Sequence, residues 1–160
     1  MAKASDARGV LVMAVQDLYD GERRLIDRLP RIEAAIEDGE LEALVARDIR
    51  HAAEQSGRLA ALAEALGIKP KGEANVWLRA ILDDADNDIA SIAEGRWRDV
   101  ALVGALRKAK QAERVSYETA IALAAHEGYA DHAAALTLSR DEEAAADDAL
   151  AAILTRLTLA

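Results

Sequence analysis

Apolar residues recur along most of this chain at intervals of three and four, the period of one face of an α-helix. Val15, Leu18, Leu25, Leu29, Ile32 and Ile36 trace the first stripe and predict a helix from about Ser5 to Glu37. Pro30 falls inside it, where a ring nitrogen without a proton bends a helix. Asp38-Gly39-Glu40 makes a turn, and Asp38 or Gly39 is placed to cap the next helix. That second helix is predicted from about Glu40 to Leu66, on Leu41, Leu44, Leu59, Leu62 and Leu66, and Gly67 and Pro70 stop it.

Gly67 to Glu73 reads as a linker. A shorter helix then spans about Asn75 to Ala93, with Trp77, Leu78, Ile81, Leu82, Ile89 and Ile92 on one side. The next runs from about Asp99 to His126 on Val103, Leu106, Tyr117, Ala120 and Ala124, and Gly128 closes it. The last covers about Ala130 to Leu157 on Ala133, Leu136, Leu150, Leu154 and Leu157. Four of these helices are long, about 40 Å at 1.5 Å per residue. Two long helices, a short one and two more long ones describe two hairpins joined by a crossover. The expected fold is all-α: a ferritin-like four-helix bundle with an additional short crossover helix, in a single domain over residues 1–160.

Composition narrows the function. Roughly a quarter of the 160 residues are Ala, the best helix former, and small side chains let helices approach closely. The formal net charge of −9 disfavours nucleic acid and anionic membrane surfaces as partners. There is no Cys, hence neither a disulfide framework nor a thiolate metal site. The N-terminal apolar run, Val10 to Val15, is too short for a signal peptide and no stretch approaches a membrane span, so a cytoplasmic protein is expected.

The chemistry lies in what interrupts the stripes. Glu22 stands on the first inner line, Asp48 and His51 on the second, Glu113 on that of the fourth helix, and Glu143 and Asp147 on that of the last. Asp48 and His51 are one turn apart, as are Glu143 and Asp147. Carboxylates buried without partners are costly, so acids converging from four helices need protons or cations. Two divalent ions would supply the charge, and oxygen donors with one imidazole suit iron or manganese. Iron(II) oxidation or peroxide handling, a di-metal oxidase or peroxidase type of activity, would follow from an open coordination position. The competing expectation is a metal-free structural or interaction bundle, because Lys110 and Arg140 lie on the same inner lines and would neutralise the acids. Gln55 and Tyr117, one turn beyond His51 and Glu113, read as polar core residues.

Leu18-Tyr19-Asp20-Gly21-Glu22 with Leu29-Pro30, Leu66-Gly67-Ile68-Lys69-Pro70-Lys71-Gly72, Arg98-Asp99-Val100-Ala101-Leu102, Gly128-Tyr129, and Asp141-Glu142-Glu143 with Asp147 resemble, in order and spacing, the YciE/YciF-type ferritin-like stress proteins of bacteria. The resemblance covers about Leu18 to Leu150. It implies a ferritin-like bundle, a homodimer, a dinuclear metal site and a role in stress responses. Glu22, Glu113, Glu143 and Asp147 match acidic positions of the family pattern. Asp48 and His51 stand where the family more often has His and Glu. Lys110 and Gln111 stand where it tends to have Glu and His, which lowers the expected occupancy by two metal ions.

Overall fold

Capping side chains and turn glycines satisfy the free backbone groups at several of the helix ends. The computed structural model describes residues 3–159 and contains α1 (Ala7–Glu33), α2 (Gly39–Ala65), α3 (Val76–Ser91), α4 (Arg96–His126) and α5 (Ala130–Leu159). The carboxylates of Asp6 and Asp38 accept from the backbone N–H groups of Gly9 and Leu41, capping α1 and α2, and the Asn75 side chain accepts from Leu78 to cap α3. At the other end of α2, Gly67 takes φ +69°, which lets Ile68 N–H reach the Ala63 carbonyl and Gly67 N–H that of Glu64. Gly128, at φ +84°, repeats the motif between α4 and α5.

Pro30 sits in the last turn of α1, which stops at Glu33 and not at Glu37. Conversely, α4 begins three residues before the expected Asp99. Asp99 lies in its first turn and accepts from the backbone N–H groups of Glu37 and Asp38, while Arg98 donates to the Ala35 carbonyl at 2.6 Å. These bonds tie the start of α4 to the α1–α2 turn.

That tie fixes the topology. α2 and α4 start at one end of the bundle. α1 and α5 start at the other, where Arg8 donates to the Leu66 carbonyl and to the Tyr129 hydroxyl. α1 and α2 form one antiparallel hairpin and α4 and α5 the second; α1 packs beside α4, and α2 beside α5. α3 returns the chain along the outside of the α1–α4 seam, held by Arg28 on Asp83 and Asp86.

The apolar core divides into two clusters. Leu11, Val15, Leu18, Leu59, Leu62, Tyr117 and Leu136 fill one end. Leu25, Leu29, Leu41, Val45, Leu106, Leu150 and Ile153 fill the other, with Leu78 and Leu82 of α3. The polar positions fall between them in every long helix: Glu22 between Leu18 and Leu25, Asp48 and Gln55 between Val45 and Leu59, Lys110 and Glu113 between Leu106 and Tyr117, Glu143 between Leu136 and Leu150.

Candidate functional site: a carboxylate centre around Lys110

Where the two apolar clusters part, four rods each deliver one carboxyl group to a common space: Glu22 from α1, Asp48 from α2, Glu113 from α4 and Glu143 from α5. Their exposures are 0%, 4%, 1% and 1%. Lys110, itself 1% exposed, extends its ammonium group into the middle of them. Nζ lies 2.7 Å from Asp48, 3.1 Å from Glu113 and 2.7 Å from Glu143. One charged donor therefore bridges α2, α4 and α5.

Glu22 is bound differently. The buried Tyr117 hydroxyl donates to its Oε1 at 2.6 Å, and its Oε2 has no hydrogen-bond partner. Gln55 completes the inner layer by donating to Glu143 Oε1 at 2.8 Å and to Glu142 at 2.9 Å. Glu142 is gripped in turn by both terminal nitrogens of Arg58, which also donates to the buried Ser139 hydroxyl.

Four acids around one ammonium leave negative charge in surplus, and protonation absorbs it. Burial, then the neighbouring Glu143, push the carboxyl groups of Glu22 and Glu113 well above their ordinary range, against the pull of Lys110. Asp48 is raised by burial, and the ammonium counters part of that rise. Burial acts to strip the proton from Lys110, but the carboxylates of Asp48, Glu113 and Glu143 overcome it, so the ammonium stays charged well beyond the usual lysine range. Burial and Glu22 raise the Tyr117 phenol in the same way.

Of the six residues singled out from the sequence, the structure brings four together and leaves two aside. Asp147 points to the α4–α5 seam, where Arg107 Nε holds it at 2.7 Å and Gln111 at 3.1 Å. His51 is half-buried at the rim, while Ala52 takes the core position. Arg140 does not neutralise the centre either: its guanidinium turns outward onto Asp141. The inward arginine is Arg58, one turn past Gln55 on α2, which the apolar periodicity did not single out.

The α5 misreadings share one cause. Its buried line is Leu136, Ser139, Glu143, Ala146, Leu150, Ile153 and Leu157, alternating steps of three and four. The expected line took the steps in the opposite order and landed on Arg140, Asp147 and Leu154. Alanines on every side of α5 make the two phases nearly equal in hydrophobicity.

The donor set can be weighed against a dinuclear metal centre. Such a site needs open oxygen or imidazole donors around a vacant position. Here an ammonium group fills that position, one imidazole has moved to the rim and one carboxylate is engaged by arginine. Among the described residues, no three His, Asp or Glu side chains are arranged to hold a metal ion. The residues present do not fit a di-metal cofactor.

Two antiparallel hairpins, an outer crossover helix and carboxyl groups meeting at mid-height from four rods define a ferritin-like bundle. Within that class the chain belongs to the YciE/YciF-type family, described as Domain of unknown function DUF892, whose pattern matches residues 6–160. It is 27% identical over 139 residues to Protein YciF of Escherichia coli K12, covering 86% of this chain and 84% of that protein. The crystal structure of the E. coli stress protein YciF superposes with a TM-score of 0.92 at 24% identity, over 97% of this chain and 98% of that one. YcfI from Rhodopseudomonas palustris, to which a structural role is provisionally given, superposes with a TM-score of 0.87 at 25% identity, over 91% and 93% of the two chains. Among the described residues, no helix is long and apolar enough to cross a membrane.

Proposed function

We propose that this protein is a metal-free ferritin-like bundle of the stress type, acting through its outer faces, with the Lys110 ammonium group as the cation of its carboxylate centre. One observation carries the reading: Nζ lies within 3.1 Å of three carboxylates that come from three helices. A divalent ion in the same space would meet the ammonium at close range in a low dielectric. The near-zero exposure of Glu22, Lys110, Glu113 and Glu143 argues the same way, because a substrate has no open face to approach. The stress association is extended to this chain from its likeness to E. coli YciF, and the structural role from YcfI.

The second reading is a dinuclear iron or manganese centre carrying out iron(II) oxidation or peroxide handling. The unpartnered Glu22 Oε2 favours it, since a buried oxygen without a donor is what a missing cation leaves. It requires Lys110 to withdraw and Asp147 to leave Arg107. Thermal melting separates the two. The metal-free reading predicts the same midpoint with and without a strong chelator; a midpoint that falls on chelation and recovers with iron or manganese supports the metal centre.

A further inference from the structure

At the height of the carboxylate centre, α1 and α4 face α3 with residues that have little or no side chain. Gly21 precedes Glu22 on α1, and Ala109 precedes Lys110 on α4, with Ala105 one turn earlier. The filling comes from α3. A Cβ at Gly21 would stand 3.3 Å from Leu78, and Leu78, Leu82 and Ala85 share one apolar cluster with Ala105 and Ala109. The crossover helix thus plugs the α1–α4 seam beside two members of the centre.

α3 is held by little apolar surface and much charge. Leu78, Leu82 and Ala85 are its buried residues, fewer than in any long helix. Ion pairs run along its edges: Arg28 with Asp83 and with Asp86, both at 2.7 Å, Arg31 with Asp86 at 3.5 Å, and Lys108 with Asp84 at 3.7 Å. The side chains of Asp83, Arg31, Lys108 and Asp84 are more than half exposed, so salt screens these pairs. At the far end of α3, Gly95 takes φ +127° with nothing within 4 Å of an added Cβ, a joint that glycine adopts freely.

We infer that α3 is a lid over the carboxylate centre, latched by Arg28 on Asp83 and Asp86, and that its outward swing opens the Gly21–Ala105–Ala109 seam to water and protons. Closed, it leaves Glu22 at 0% and Glu113 at 1% exposure. Open, it joins them to solvent while the two hairpins stay packed. Such a lid serves the centre whether its cation is the ammonium group or a metal ion.

The chain contains no Cys, so Glu22→Cys places a single thiol in the centre, and Ala52→Cys places a control at a 1% exposed position of α2. Each is labelled with methyl methanethiosulfonate, with Arg28 intact and with Arg28→Ala added. The expected result is about tenfold faster labelling of Glu22→Cys once the latch is gone, with Ala52→Cys unchanged. Hydrogen exchange on the Cys-free chain is the second measurement. Arg28→Ala, or a rise from about 0.01 M to about 1 M sodium chloride, speeds the α3 amides about tenfold and leaves those of α2 and α5 as they were. Should Glu22→Cys not fold, these exchange rates decide. Equal acceleration of both thiols, or of α3 and α5 together, means general loosening and overturns the lid. So do α3 amides indifferent to Arg28 and salt, or faster α3 exchange with no faster labelling at Glu22→Cys.

Discussion

Tyr117 and Lys110 do different work in the same layer, and their removal should cost different amounts. Tyr117→Phe deletes the donor to Glu22 Oε1 and leaves both oxygens of that carboxyl group without a partner. The expected loss is about 1–3 kcal/mol in urea unfolding. Lys110→Ala removes the positive charge shared by three carboxylates, and the expected loss is larger, about 3–5 kcal/mol. Equal losses would mean that the ammonium is not the main counter-charge. The acids make a further prediction about pH. Glu22 and Glu113 have folded pKa values raised above the ordinary 4.5, so the folded chain holds protons that the unfolded chain gives up. Their contribution is fully present below about pH 4.5 and is lost as pH rises through the folded values. Asp38, Glu142 and Asp147 are held low by arginine partners that outweigh burial, and their contributions fade only at more acidic pH. Glu22→Gln cannot titrate, so it should flatten the decline in melting midpoint as pH rises above about 4.5, and an unchanged slope would contradict the assignment. At this scale the sequence was legible where a polar residue interrupts a strong apolar stripe, as at Glu22, Asp48 and Glu113. It was ambiguous on α5, where Arg140 and Asp147 lie one step from Ser139 and Ala146. Nothing in the periodicity could reveal that Arg58 would find Glu142, since that pairing depends on how α2 and α5 face each other.

The helices are held in register by a few polar clasps near their ends, and the family-like motifs coincide with them. Asp20 accepts from the backbone of Asn75, Gly21 lies under the Asn75 side chain, and Glu22 enters the centre. Three consecutive residues of α1 therefore seat α3 and build the site. A Cβ at Gly21 would stand 2.8 Å from Asn75 Nδ2 and 3.3 Å from Leu78. Asn75 has little freedom to yield, because its side chain caps α3 and donates to the Asp17 carbonyl. Alanine in place of a helical glycine ordinarily stabilises. Here Gly21→Ala is expected to destabilise by about 1–3 kcal/mol through overpacking, with hydrogen exchange faster in α3 than in α5. A more stable variant would show that α3 does not sit tightly on α1. Helix order and most ends were legible because Asp38, Asn75, Gly67 and Gly128 are local signals. The early start of α4 was not, since its first turn is secured by the distant α1–α2 turn through Arg98 and Asp99.

For the molecule as a whole, a polar layer divides two apolar clusters, and its charge is balanced from within. A chain of this size can bury such a layer only if every charge finds a partner or a proton. Family likeness and apolar periodicity both point to acids meeting inside a bundle. They leave open what neutralises those acids, because a lysine on an inner line reads as charge without saying where its stem ends. In this chain, Nζ of Lys110 lies within 3.1 Å of three of those acids. The most direct test is the metal content of the wild-type protein, purified without chelator, loaded with iron(II) or manganese(II) and desalted. The account predicts less than about a tenth of an ion per chain; one or two ions per chain would contradict it.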